Sequence, residues 1–488
     1  MKELNVIIIV AEQLRRDVLG GQYAPHINRL KEKSVVFERA YCTCPLCVPA
    51  RGSLFTGKYP NENGCLINPF QPFDQEYGKV RKGIPNLYSI LEDEWDCWSI
   101  GKQHFITEER IDLMPNTKIK WITRKDYNKF LKENRKRRPG GEAFKGYSPT
   151  IVSGKITWRK RFSIPYTAPY EEGFEYFIDI FIMKKSLEAI RNRDKDKPLF
   201  LCVNFQAVHP PYNIPEPYYS MVKDVDLPKN VGVWSEGQSP LQLYNVPGFL
   251  GSRYTREDWR RIWPVYLGYV ALLDYCVGQI ISEFKKEGIY DNSIIVFTAD
   301  HGEMLGSHCL WQKMCMYEEA THIPLYIKPP EWESAKSIDV LVSHVDVFPT
   351  ILDYLGLKQP ECSGVSLKPL IEEETISHAR PIYIQYDGDG TRGNIQRCVV
   401  KDDYKLIVDT FKDEIYFELY NVTSDPQELK NLAFEEKEKT KELFSLIRKY
   451  MKDTNDLVKI PENAYETFLK NYSKFNHAHK LFTQSNAL

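Results

Sequence analysis

The chain has 488 residues, enough for one large domain and a smaller one. Its 42% hydrophobic and 27% charged residues exclude disorder as the main state. With 65 Lys/Arg against 66 Asp/Glu the formal net charge is −1, so the chain as a whole is not a basic nucleic-acid binder. Its 11 cysteines are an odd set with one isolated Cys-x-x-Cys (Cys44, Cys47), which suits reduced, buried thiols better than a disulfide or zinc framework.

The first apolar run, residues 6–11, is too short for a secretion signal or a membrane span, and no other stretch is read as one. A cytoplasmic location without a membrane partner is therefore expected. Residues 6–10 read as a fully buried strand. Pro49 suits the first position of a helix, which puts Cys47 near a helix N-terminus. Between residues 118 and 161 there are 15 Lys/Arg against 3 Asp/Glu. That segment reads as a solvated insertion or as a positive rim beside an anionic ligand.

Residues 199–205 and 293–298 read as further buried strands, continuous rather than alternating, as in a parallel sheet covered on both faces. Between them, residues 266–287 carry Val270, Leu273, Val277, Ile280 and Phe284 at helical spacing and stop at Gly288. Residues 323–327 read as a strand that Pro324 assigns to an edge. After residue 375 short strands separated by turns form an antiparallel meander, followed by a charged helix over 435–452. The expected fold is α/β. A large mixed, mostly parallel sheet sandwiched by helices spans residues 1–375, and a smaller α+β domain with an antiparallel sheet spans 376–488.

Glu12 and Asp300 each follow a buried strand, where ligands of open α/β sheets gather. With Gln13 they offer hard oxygen atoms suited to a divalent cation. Cys47, at a helix N-terminus, is a candidate nucleophile.

Cys47-Val48-Pro49-Ala50-Arg51, followed by Ser53-Leu54-Phe55-Thr56-Gly57-Lys58, resembles the signature of the formylglycine-dependent sulfatases of the alkaline phosphatase superfamily. Further elements agree in order: Gly101-Lys102-Gln103-His104, His209-Pro210-Pro211, Asp300-His301-Gly302-Glu303 through Lys313, and Glu418-Leu419-Tyr420-Asn421. The resemblance implies that Cys47 is oxidised to formylglycine by a maturation enzyme and attacks sulfur as a gem-diol. It implies that Glu12, Gln13, Asp300, His301 and residue 47 hold one divalent cation, Ca²⁺ ahead of Mg²⁺ or Mn²⁺. It implies that Arg51 supports the hydrate, that Lys102 and Lys313 bind sulfate oxygens, that His209 protonates the leaving alcohol and that His104 is the base that releases sulfate.

The family's first metal turn is most often Asp-Asp, and here it is Glu12-Gln13. Loss of one carboxylate lowers the expected cation affinity. An acid-Gln pair also resembles the related phosphonate and phosphate ester hydrolases, whereas Lys102-x-His104 resembles the sulfate-binding element. The expected activity is hydrolysis of a sulfate monoester, a carbohydrate sulfate first and an aryl sulfate second. A phosphonate monoester or phosphodiester hydrolase and a non-catalytic sulfated-glycan binder are the alternatives. No nucleic-acid partner is expected, and no oligomeric state is legible.

Overall fold

The computed structural model describes residues 4–71, 74–152, 156–373, 379–389 and 392–472. Eight strands make the main sheet: β1 (Asn5–Ala11), β2 (Val35–Tyr41), β3 (Asp96–Gly101), β4 (Lys120–Ile122), β5 (Leu199–Asn204), β6 (Ser293–Ala299), β7 (Leu325–Lys328) and β8 (Lys336–Ser343). Their spatial order is β8-β2-β7-β6-β1-β5-β3-β4. β1 is central and parallel to both neighbours, with Val6 beside Phe200 on one side and Ile294 on the other. Every residue of β1, β5 and β6 is buried, which is why these strands are apolar throughout rather than alternating.

β7 is antiparallel to both β6 and β2 and lies inside the sheet, not at its edge. Pro324 precedes the first ladder residue, so its missing N–H leaves no gap, and its carbonyl accepts from Thr298 Oγ1 at 2.8 Å. The signature segment forms helix α1 (Cys47–Thr56). It starts two residues before the expected position, with Cys47 as its first residue and Pro49 still in the first turn, where no N–H has an intrahelical partner. Gly57 ends it with φ 67°. Helix α2 (Arg124–Glu133) follows β4, and α3 (Ile178–Arg191) packs on β3 and β5.

Helix α4 (Arg256–Lys286) begins ten residues before the expected start and contains Pro264. A capping box between Thr255 and Asp258 supplies its N-terminus. Among the described residues it is the one helix long and apolar enough to cross a membrane, with 78% of that apolar window buried within the protein. The expectation that no such stretch exists is thereby corrected. Burial on nearly all sides explains the composition, as in any core helix.

The smaller sheet is an antiparallel meander of β9 (Ile382–Tyr386), β10 (Ile395–Lys401), β11 (Tyr404–Phe411) and β12 (Glu414–Asn421), covered by helix α5 (Lys437–Asp453). The domain boundary expected at 375/376 lies outside the described residues. A buried lysine ties the smaller sheet to the larger part: Lys405 of β11, fully buried, lies 3.0 Å from Glu318 and 3.0 Å from Glu428. Within the smaller part, Arg397 of β10 bridges Asp387 at 2.8 Å and Asp456 at 2.6 Å. Replacing Lys405 by Met leaves the buried Glu428 and the part-buried Glu318 without their shared cation, so Lys405→Met is expected to destabilise the protein by about 3–5 kcal/mol. A urea midpoint unchanged from wild type would refute that assignment.

Candidate active site

The register of β1 and β6 creates the site. Ala11 pairs with Ala299, so the next residues, Glu12 and Asp300, leave adjacent strand ends together. Both carboxylates are fully buried. The backbone N–H of Gln13, held at φ 62°, donates to Asp300 Oδ1 at 3.1 Å and locks the two turns to one another. A non-glycine residue in that region is uncommon, and here it aims the Gln13 side chain across the site.

Arg51 joins the strand ends to α1. Its guanidinium, 1% exposed, donates to Asp300 Oδ2 at 3.1 Å, to Glu12 Oε2 at 2.7 Å and to Asn204 Oδ1 at 2.6 Å. Lys102, just beyond β3, puts Nζ 2.6 Å from Glu12 Oε1. Burial works to raise Glu12, but Lys102 and Arg51 outweigh it and hold the carboxyl well below the usual range. Asp300 is shifted upward by burial and by the Glu12 charge.

Glu12, Cys47, Asp300 and His301 bring one donor atom each within 4.8 Å of one another. Cys47 Sγ donates to Glu12 Oε1 at 2.7 Å and lies 3.3 Å from His301 Nε2. His301 Nδ1 is 2.9 Å from the Gly302 carbonyl, which can only accept, so Nδ1 carries the hydrogen and Nε2 presents a lone pair to the cluster. Burial and Lys313 hold His301 neutral. Two hard carboxylates and an imidazole lone pair fit a divalent cation. Gln13 sits beside this set, its amide oxygen accepting from Lys313 Nζ at 2.6 Å and its nitrogen bonded to Glu303. Burial, then the Glu12 charge, push the Cys47 thiol far above its ordinary range.

Lys102, His104, His209 and Lys313 line with Cys47 a cavity of about 370 Å³. His209 Nδ1 is 2.5 Å from the Pro210 carbonyl, and Nε2 is 3.2 Å from Lys313 Nζ. Burial and the two lysines hold His209 well below its usual range. His104 packs on Phe70, and its Nδ1 is buried without a partner among the described residues. Lys313 lies on a buried loop between Gln312 at φ 68° and Met314 at φ 74°. That loop is tied to the segment before Cys47 by Met314 N–H donating to the Pro45 carbonyl at 3.2 Å.

The structure thus brings all of the expected site residues to one cavity and its floor. Three further residues matter that sequence reasoning passed over. Asn204 orients Arg51. Glu303 holds the Gln13 amide. Asp179 of α3 accepts the backbone N–H groups of Gln206 and Ala207 at 2.7 and 3.0 Å, fixing the loop that carries His209. Glu303 stood inside the quoted Asp300–Glu303 element and Asn204 inside the strand expected over 199–205, but nothing local marked either pairing; Asp179 had no signal at all. Removing the Asn204 acceptor strands one guanidinium N–H of Arg51. Asn204→Ala is expected to lower kcat about tenfold, the value of one hydrogen bond to a charged group. Unaltered kcat would show that Arg51 needs no such anchor.

The comparisons with known proteins agree with this geometry. Residues 4–357 match the family model described as "Sulfatase", and residues 306–456 match the one described as "N-sulphoglucosamine sulphohydrolase, C-terminal". The chain is similar to an arylsulfatase of Clostridium perfringens, at 25% identity over 92% of this chain and 93% of the relative. It is similar to an N-acetylglucosamine-6-O-sulfatase of Bacteroides thetaiotaomicron, at 25% identity over 93% and 87%. Among solved structures, the phosphonate monoester hydrolase of Agrobacterium radiobacter superposes with a TM-score of 0.73 at 22% identity, covering 93% of this chain and 96% of that one, which speaks for the fold alone. By its match over most of its length, the chain belongs to the sulfatase family.

Proposed function

We propose that the protein hydrolyses a sulfate monoester, a carbohydrate sulfate in the first instance, with Cys47 matured to formylglycine and one divalent cation. The carrying observation is the convergence of Cys47, a four-donor cation cluster and four basic side chains on one cavity floor. The aldehyde hydrate supplies a hydroxyl nucleophile that can afterwards be released by carbonyl formation, so no water need attack sulfur. The cation, Ca²⁺ in our reading, supplies fixed positive charge where sulfate oxygens gather.

The chain's own residues do the rest. Glu12, Asp300 and His301 hold the cation together with residue 47, and Gln13 stands alongside. Arg51 keeps the carboxylates in register. Lys102 and Lys313 place ammonium groups over the sulfate oxygens, where negative charge must be offset during transfer. His209 is neutral while both lysines face it. A bound sulfate offsets their field, and the Pro210 carbonyl on Nδ1 favours the imidazolium, so Nε2 can deliver a proton to the departing alcohol. His104, with its unpartnered Nδ1, takes up the proton released as sulfate departs.

Lys102 and His104 favour the sulfatase over the phosphonate monoester hydrolase, toward which Gln13 leans. The deciding experiment co-expresses the chain with a formylglycine-generating enzyme and compares an aryl sulfate with an aryl phosphonate, using Cys47→Ala as blank. Faster Cys47-dependent sulfate turnover is expected; faster phosphonate turnover would move the protein to the other branch. Chelation confirmed by metal analysis is expected to abolish the rate, and an unchanged rate would remove the cation from the reading. His209→Ala is expected to slow esters of poor leaving groups more than activated aryl esters, and equal losses would take the acid's role from His209.

A further inference from the structure

The basic segment that follows β3 reaches the active-site cavity, and its charges divide into two groups. Five of them are paired with carboxylates: Lys118 with Asp93, Lys120 with Asp96, Arg137 with Glu172, Lys160 with Asp389 and Arg161 with Glu142. Arg124, Arg138 and Lys145 are set apart by their position. Among the described residues none of them has a carboxylate partner, and the one side-chain hydrogen bond made by the three is Lys145 Nζ to Ser163 Oγ at 3.1 Å. All three line the cavity whose floor holds Cys47, Lys102, His209 and Lys313.

They also face one another. Partial withdrawal from water, then the Arg138 charge, lower the Arg124 guanidinium. Partial withdrawal from water, then the charges of Arg124, Arg161 and Arg138, lower the Lys145 ammonium. Three like charges gathered at one wall of a cavity repel, and an arrangement of that kind is relieved by an anion. The reacting sulfate does not fill this role, because Lys102 and Lys313 on the floor receive it. Arg124 also borders a second cavity of about 500 Å³ that shares Lys102 and His104, so there is room for a ligand larger than one sulfate ester group.

We propose that Arg124, Arg138 and Lys145 form a second anion subsite, and that the substrate is a saccharide sulfate carrying a further fixed anionic group, sulfate or carboxylate, beside the ester that is cleaved. The proposal rests on the sulfatase reading and narrows it. Neutral aryl sulfates and the cationic choline ester leave these three charges unanswered. Two planar guanidinium forks and one ammonium suit either a sulfate or a carboxylate.

The test uses the matured protein and its turnover of 4-nitrophenyl sulfate, inhibited competitively by three disaccharides. One carries a single sulfate, one a single sulfate and a uronate carboxylate, and one two sulfates. The doubly anionic compounds are expected to bind about tenfold more tightly than the singly sulfated one, the worth of one charge-assisted pair. In Arg124→Ala/Arg138→Ala that advantage is expected to fall below about threefold, whereas in Arg137→Ala, which removes a neighbouring but paired charge, it is retained. Lys145→Gln is expected to reduce it in part and serves if the double variant does not fold. Which of the two doubly anionic compounds binds better names the second group. Equal binding of all three by wild type, an undiminished advantage in both the double variant and Lys145→Gln, or an equal loss in Arg137→Ala would each overturn the proposal. A wild type that turns over aryl phosphonate but no sulfate would overturn the sulfatase reading instead, and is seen before any disaccharide is added.

Discussion

Two carboxylates on adjacent parallel strand ends, both out of reach of water, are the constraint around which the molecule is arranged. Neither Glu12 nor Asp300 could be held there uncompensated, since a lone buried charge costs several kcal/mol. Arg51 spans both and is itself fully buried, which commits α1 to lie against the ends of β1 and β6. Lys102 answers the remaining Glu12 oxygen and so ties the end of β3 to the same point. Cys47, four residues before Arg51 on α1, is thereby delivered to the carboxylates. The position of Cys47 and the grouping of the candidate cation ligands follow from one electrostatic requirement.

The smaller sheet extends this logic to Lys313. Its loop takes backbone conformations that non-glycine residues rarely adopt, and such conformations persist only where the surroundings dictate them. The surroundings are on the page. Asn245 and Gln396 donate to the Met314 carbonyl at 2.7 and 3.4 Å, Tyr317 donates to Glu418 at 2.7 Å, and Glu318 is paired with Lys405. Residues of β10, β11 and β12 therefore hold a lysine that lines the cavity beside the other sheet. The meander is a buttress to the Lys313 loop rather than an appended module.

Much of this was legible in the residues. The buried parallel strands lie within one residue of the expected spans because a strand covered on both faces must be apolar along its whole length, as in residues 6–10 and 293–298. The expected site residues meet because the motif segments carry them at strand ends and a helix start. What could not be read has one cause, that tertiary neighbours settle it. Pro324 looks like an edge signal until the ladder is seen to begin after it. Helix α4 runs through Pro264 because its flank is packed in the core, so the breaker did not mark its start. Asn204 and Asp179 act only through partners distant in sequence, Arg51 and the backbone of Gln206 and Ala207, and no local pattern announces such pairings.

The central place of β1 has a bearing on the order in which the molecule is made. β1 leaves the ribosome before its partners, the strands containing Phe200 and Ile294, so it must wait for distant segments before it is paired. Through that interval Cys47 has no walls: Asp300, His301 and Lys313 have not been synthesised. Once they arrive, the residue is 2% exposed on the floor of a narrow cavity. Any catalyst that must grip the peptide around Cys47 has its opportunity before translation and folding are complete, and the finished protein preserves whatever state of residue 47 it closed upon.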